Sequence, residues 1–152
     1  MMRVCLGLLG SLLLTLPTLA AQPGFRAELV GGTVPQIEIK SSVRLDLTGQ
    51  DAIFLRTGKS ETRIDYARVN SVEYGQNVSR RYAAAVLISP MLLLSKSRKH
   101  FVTLGYSDSD GRQQALVFRV DKSDIRSLLA SLEARTGRRV EYQDDDARKG
   151  NR

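Results

Sequence analysis

Residues 101–120 constrain the fold of this chain most, because they read as two strands joined by a tight polar turn. Apolar side chains alternate with other residues on both sides of the turn: Val102, Leu104 and Tyr106 before it, and Leu116, Phe118 and Val120 after it. The turn contains Asp110-Gly111, a dipeptide typical of β-hairpins. Two apolar strand faces of this size need a covering layer, so the pattern predicts a β-rich domain with at least one further layer.

A helix follows directly and is predicted to supply that layer. Its apolar residues recur at i, i+3, i+4 and i+7, which places them on one face of a helix: Ile125, Leu128, Leu129 and Leu132. Asp121 or Ser123 can cap the first turn, and Gly137 lies where a left-handed C-terminal residue is favoured. We therefore predict an amphipathic helix that closes the domain, with a short extension at Val140 and Tyr142.

Earlier in the domain, period-two alternation predicts further strands. Ile37 and Ile39 alternate with polar residues at its start. Val43, Leu45 and Leu47 alternate with Arg44 and Asp46, which we place on the other, polar face. Residues 52–56 are the expected partner strand, and residues 63–66 and 69–74 are predicted to form one bent or two separate strands.

The first twenty residues read as a secretory signal peptide. Arg3 precedes an apolar run over residues 5–16, and Thr18-Leu19-Ala20 supplies small residues for cleavage after Ala20. An uncleaved membrane anchor is the alternative, although the run is shorter than the roughly 20 residues that span a bilayer as a helix. We therefore expect an exported protein, periplasmic or extracellular, that is either soluble or peripheral to the membrane.

The remaining chain divides into three parts. Residues 21–35 contain prolines and glycines and are predicted to form a flexible leader. Residues 36–142 are the predicted domain. Residues 143–152 have little apolar content and are predicted to form a disordered charged tail.

The charge balance suggests classes of partner. Lys and Arg number 23 and Asp and Glu 16, which gives a net charge of +7. A basic surface attracts anionic membranes, polyanions or nucleic acid, and a role in solubility alone stays open. Because export separates the protein from nucleic acid, we expect none as a partner.

The most apolar internal stretch, residues 83–95, lies between basic groups. Its flanking residues form the predicted binding segment for a membrane or a partner: Arg80, Arg81, Lys96, Arg98, Lys99 and His100. As an interfacial wedge, the stretch enters the lipid headgroups while the cations meet phosphates. Alternatively it forms buried strands or a core helix, because periodicity does not resolve short apolar runs.

Residues with the chemistry of an active site are sparse. His100 is the only histidine, and no partner of the kind that a general base or a metal ligand requires stands beside it in the sequence. Asp108-Ser109-Asp110-Gly111 has the start of a calcium loop but lacks its later acidic ligand, so a turn is expected. We accordingly assign no catalytic, cofactor or metal residue, and the sequence leaves any small-molecule ligand undetermined.

Four segments together are similar to bacterial pleckstrin-homology-like (PH-like or GRAM-like) domains: VRLDLTGQDAIFLR, IDYARVNSVEYG, HFVTLGYSDSDG and FRVDKSDIRSLLASLEARTG. The resemblance covers about residues 43–137 and implies a mainly β fold, a PH-like barrel or sandwich closed by one C-terminal amphipathic helix. It also implies a binding or scaffolding module without enzymatic activity. At the cell envelope such a module would act through a partner protein or an anionic membrane surface. An envelope hydrolase of unknown substrate is the alternative.

Overall fold

The fold is described from a computed structural model, which covers residues 23–33, 38–76, 87–88, 99–143 and 148. The elements with described bounds are nine strands, one α-helix and a single turn of 3-10 helix at Tyr66–Arg68. The protein is therefore mainly β in these regions, as the sequence predicted.

The strands and the helix follow in chain order. They are β1 (Phe25–Gly32), β2 (Ser42–Asp46), β3 (Ala52–Arg56), β4 (Glu61–Asp65), β5 (Val69–Gly75), β6 (Leu87–Ile88), β7 (His100–Ser107), β8 (Gln113–Val120), α1 (Lys122–Thr136) and β9 (Val140–Tyr142).

All nine strands belong to one sheet. Eight of them lie in the order β4-β3-β2-β1-β8-β7-β5-β9, and β6 pairs with β1 beside this path. Every pairing is antiparallel except that of β5 with β9. Among the described strands β4 and β9 do not pair with each other, so the sheet is not closed.

β1 lies at the centre of the sheet and links its two halves. Its first residues pair with β2, its last two with β6, and β8 runs along its other side. The register with β8 shifts between Leu29 and Gly31, as it does at a β-bulge. The prediction of a flexible leader over residues 21–35 is therefore wrong for Phe25–Gly32, which form this paired strand.

The predicted hairpin is confirmed as β7 and β8. The Asp108 backbone N–H donates to the carbonyl of Arg112 at 2.9 Å, and Gly111 adopts φ +78°, a left-handed conformation that suits glycine. The side chains that alternation placed inward are all buried in the core, including Leu104, Leu116 and Phe118.

The predicted helical stripe is also confirmed in α1. Its four apolar residues are buried, and Leu128 is 0 % exposed. Asp121 is the N-cap residue but makes no side-chain capping hydrogen bond, whereas Gly137 ends the helix at φ +67° and donates its N–H to the Glu133 carbonyl. β9 then pairs with β5, and Gln143 donates its backbone N–H to Tyr74. Gln143 is thus held against the sheet, which corrects the predicted disordered tail at its first residue.

One local prediction is wrong for a physical reason, whereas the placement of Asp46 on the outer face is right. Ile39 lies in a turn and is 36 % exposed, because Lys40 adopts φ +71° and donates its backbone N–H to Leu29, which reverses the chain there. Asp46 lies on the outer face as expected but is only 3 % exposed, because neighbouring side chains cover and bind it.

Candidate binding surfaces

The predicted binding segment lies mostly outside the described residues. Arg80, Arg81, Lys96 and Arg98 fall there, as does the apolar stretch 83–95 apart from Leu87–Ile88. Those two residues form β6, whose backbone pairs with Gly31 and Gly32 of β1. Binding by this segment therefore stays a prediction.

His100, the last residue of that segment, is held against the sheet. Its Nδ1 lies 2.6 Å from the Tyr74 hydroxyl, and the two rings are nearly parallel with centroids 5.9 Å apart. Burial lowers the pKa of His100 below 6.5, and the positive charge of Lys122 lowers it further. The neutral imidazole with this hydrogen bond has a structural role, packing the start of β7 against β5.

Three arginines form a row across neighbouring strands of the outer sheet face. Arg26 on β1 lies directly opposite Arg44 on β2, which lies directly opposite Arg56 on β3. Directly opposed side chains in a sheet have Cβ atoms about 5 Å apart, and like charges so placed repel each other. This arginine row is therefore unfavourable unless anions accompany it.

Arg56 has two such anions from the protein. Its Nη1 lies 2.5 Å from Asp46 Oδ2, and its Nε lies 2.5 Å from Glu61 Oε2. Thr48 donates to the other Asp46 oxygen from its backbone N–H at 2.9 Å and its hydroxyl at 2.6 Å. Burial raises the pKa of Asp46, but the hydrogen bonds from Thr48 and Arg56 outweigh it and lower the pKa below 3.8. The carboxylate is thus ionised and holds Arg56 in place.

A shallow pocket of about 240 Å³ lies over the row. The three arginines line it with Ser42, Val43, Thr57 and Gly58. Guanidinium groups and hydroxyls are the donors that phosphate and carboxylate oxygens accept from. The arrangement suits a small anionic group such as a lipid phosphate.

The turn before Ser42 carries the one exposed large hydrophobic side chain of the described residues, Ile39. Lys40 follows it and is also exposed. An apolar and a basic side chain on one tight turn, three residues or fewer from the pocket lining, are a pairing that membrane-surface proteins use.

A larger groove, of about 810 Å³, lies elsewhere on the molecule. One wall is β4, at Thr62, Arg63, Ile64 and Asp65; the other is the tip of the β7–β8 hairpin, at Tyr106, Ser107, Asp108, Ser109, Arg112 and Gln114, with Thr33 and Arg68 at its margin. Asp65 binds Arg63 at 2.9 Å and Arg68 at 3.5 Å.

Asp108 organises the hairpin turn. Gln114 donates to it, the backbone N–H groups of Asp110 and Arg112 do the same, and these bonds lower the pKa of Asp108 although some desolvation opposes them.

Within the described part of the chain, no three His, Cys, Asp or Glu side chains are grouped so as to hold a metal ion.

Comparisons with known proteins add no relative. A scan against protein-family models found no match, and a search of curated proteins found none either. Across the residues described, no helix has the length and apolar character that a membrane crossing needs.

The arginine row was not predicted from the sequence. Consecutive members stand 18 and 12 residues apart and share a site only through the strand register. The alternation of apolar and polar residues already placed Arg44 on the outer face. Pairing residues 52–56 with β2 then sets Arg56 opposite Arg44, on the same face. Arg26 could not be placed, because the leader in which it lies was not recognised as a strand.

Proposed function

We propose that this protein is an exported, non-enzymatic binding module of PH-like architecture that binds the anionic surface of a membrane at the cell envelope. The arginine row on the outer sheet face is the observation that carries the proposal. Its ligand is the phosphate group of an anionic lipid. No observation on the described residues favours the hydrolase alternative.

The order of elements supports the PH-like part of the proposal. A series of antiparallel strands ends in a hairpin with Asp-Gly in its turn, and one amphipathic helix follows. The helix packs its apolar stripe into the same core as both halves of the sheet. Among the described residues, the helix thus covers the inner side of the sheet, and the arginine row lies on the other side.

The charges of the row support an anionic ligand. Asp46 and Glu61 both form ion pairs with Arg56. Glu28, two residues after Arg26 on β1, forms an ion pair with Arg119 on β8. Arg26 and Arg44 lie beside these pairs in the pocket. A phosphate that meets Arg26 and Arg44 adds negative charge beside the opposed arginines and accepts hydrogen bonds from guanidinium groups.

Ile39 and Lys40 favour a membrane over a dissolved polyanion. The turn projects an isoleucine that water solvates poorly beside a lysine that prefers lipid headgroups. Insertion of Ile39 into the interface would remove its exposed surface from water, while Arg26 and Arg44 meet phosphates. Ile39 and Lys40 stand three and two residues before Ser42 of the pocket lining, so both contributions come from one stretch of the chain.

The expected strength follows from the charges. Each cation near an anionic leaflet contributes about 1 kcal/mol, so Arg26 and Arg44 together contribute about 2 kcal/mol, roughly a 30-fold change in affinity. The contribution falls with salt because the Debye length shortens to about 8 Å at physiological ionic strength.

Vesicle co-sedimentation tests the proposal. The isolated protein is mixed with phosphatidylglycerol vesicles or phosphatidylcholine vesicles at low and at physiological salt. We expect binding to the anionic vesicles alone, weakened by salt, and a loss of about 30-fold or more in the double variant Arg26→Glu and Arg44→Glu. Ile39→Ser should weaken binding at both salt concentrations, because its contribution is apolar.

Two further variants act as controls. Arg112→Glu with Arg139→Glu makes the same change in net charge at the hairpin tip and beside β9, away from the row, and should bind as the wild type does. Charge reversal at Arg80, Arg81, Arg98 and Lys99 tests the segment that the sequence predicted. If that variant loses binding while the Arg26 and Arg44 variant keeps it, the arginine row is not the site.

A further inference from the structure

β4 is an edge strand of the sheet. It pairs with β3 on one side, and no strand of the described residues lies on its other side. Edge strands present unpaired backbone N–H and C=O groups, and an added strand can satisfy them.

The hydrogen-bond register identifies the outward groups. Just before β4, Thr57 donates its backbone N–H to Ser60, and just after it Tyr66 donates to Asp51. Bonded pairs alternate along an antiparallel ladder, so Thr62 and Ile64 are the residues of β4 that bond to β3.

The residues between them belong to the non-bonded pairs of that ladder. The backbone N–H and C=O groups of Glu61, Arg63 and Asp65 therefore point away from β3. Three of the five residues of β4 thus present a backbone N–H donor and a C=O acceptor to an incoming antiparallel strand, at every second position.

The groove of about 810 Å³ lies on this side of β4. Four consecutive residues of the strand, 62–65, line it. Successive side chains point to opposite faces of a sheet, so a groove that meets four in a row runs along the edge of the strand and not over one face. The hairpin tip at Tyr106–Asp108 forms the opposite wall, which leaves a channel beside the outward groups.

We propose that this channel binds an extended segment of a partner protein, which adds to the sheet as an antiparallel strand along β4. The segment carries an acidic residue opposite Arg63, because directly opposed unlike charges stabilise a strand pair. Arg68 and Arg112 line the same groove. Asp65 pairs with Arg63 and Arg68, and Asp108 pairs with Arg112, so three arginines face two aspartates and the groove keeps a small net positive charge. On the inner face the segment meets Ile64 and Tyr106, which favour an apolar side chain.

A second copy of this chain fits the channel less well. In a second copy, β4 is itself flanked by the tip of that copy's β7–β8 hairpin. If the two β4 strands paired, both hairpin tips would have to fit beside the paired strands. A partner segment that is extended before binding brings no hairpin tip with it. The channel and the pocket over the arginine row share no lining residue, and the peptide test needs no membrane, so its outcome is independent of the proposed membrane function. Glu61, whose backbone groups face outward, still pairs through its side chain with Arg56 of the row.

The test uses a peptide as the probe, with the sequence Val-Thr-Val-Glu-Val-Thr-Val and both ends capped. With the glutamate opposite Arg63, the valines on either side of it face the inner side of the sheet. Added to the ¹⁵N-labelled protein, the peptide should shift the backbone amide resonances of Glu61, Arg63 and Asp65 more than those of the helix. A peptide with lysine at its centre should bind at least threefold more weakly. Methylation of the central backbone nitrogen of the acidic peptide should reduce its affinity at least tenfold, since that N–H faces the Arg63 carbonyl.

Variants of β4 separate the backbone contribution from the charge. Arg63→Pro removes an outward N–H without removing a bond to β3 and should abolish binding, whereas Arg63→Ala keeps the N–H and should weaken binding only severalfold. Thr62→Pro removes a bond within the sheet and should unfold the strand.

Three results would overturn the proposal. They are no amide shifts with the acidic peptide, equal affinity of the methylated peptide, or sedimentation of the free protein as a dimer that protects the Arg63 amide from exchange. The methylated peptide decides the matter even if Arg63→Pro does not fold, because it leaves the protein unchanged.

Discussion

Replacement of Asp46 by asparagine tests the account of the outer sheet face, because this carboxylate is buried and holds Arg56 in the arginine row. Asp46 is 3 % exposed, accepts two hydrogen bonds from Thr48 and pairs with Arg56 at 2.5 Å. Asparagine has nearly the same shape, so Asp46→Asn removes the charge without leaving a cavity.

The expected cost follows from the three interactions. Hydrogen bonds to charged groups contribute about 1.5–3 kcal/mol and neutral ones about 0.5–1.5 kcal/mol. The two bonds from Thr48 persist in neutral form, which costs about 1 kcal/mol each. The bond to Arg56 is lost, but about a third of that side chain is exposed and water replaces part of it. The variant should therefore lose about 2–4 kcal/mol of unfolding free energy at neutral pH, and these contributions are not strictly additive.

The loss should depend on pH in one direction. The pKa of Asp46 is lower in the folded protein than its ordinary value of 3.8, so the unfolded chain binds more protons in acid. The stabilisation by this group is complete above about pH 4 and disappears as the pH falls through the folded-state pKa. The difference between wild type and Asp46→Asn should shrink accordingly below pH 4.

Urea titrations of the two proteins at pH 7, 5 and 3 provide the measurement. Asp110→Asn is the matched control, since Asp110 also pairs with an arginine but is largely exposed; its stability should stay within about 0.5 kcal/mol of the wild type. If Asp46→Asn behaves like this control, or if its deficit persists unchanged at pH 3, the carboxylate does not act as described.

Three further predictions concern other parts of the chain. Leu128→Ala should cost about 2–5 kcal/mol in a urea titration, because the side chain is fully buried; a loss below about 1 kcal/mol would contradict its place in the core. Because the pKa of His100 is lowered below 6.5, its contribution to stability is complete above that pH and is lost as the pH falls through the folded-state pKa. His100→Gln should thus flatten the stability profile between pH 7 and pH 5, and an imidazole that titrates normally by NMR would argue against this. Mass spectrometry of protein from its native host should show a chain that begins after residue 20, and an intact start in the membrane fraction would refute the signal-peptide prediction.

Local patterns predicted the hairpin and the helix well, because their information lies in neighbouring residues. The turn at Asp110-Gly111 joins strands that are adjacent in sequence, and the stripe from Ile125 to Leu132 fits within a single helix. Of the candidate site, only Lys99 and His100 of the predicted binding segment lie in the described residues. His100 contacts Tyr74 of β5 across 26 positions, a contact that no local pattern contains.

The sequence by itself determined the mainly β character, the inward faces of the strands and the apolar stripe of the helix, because periodicity records which side chains leave water. Only the tertiary structure decided that β1 is the centre of the sheet. Phe25–Gly32 pairs with β2, the next strand along the chain, but also with β6 and β8, which lie far away in the sequence. The same is true of the arginine row and of the free edge of β4. Strand register brings Arg26, Arg44 and Arg56 together, and strand order leaves β4 with one neighbour among the described strands. Both depend on backbone pairing between distant segments, which a reading of local side-chain patterns does not contain.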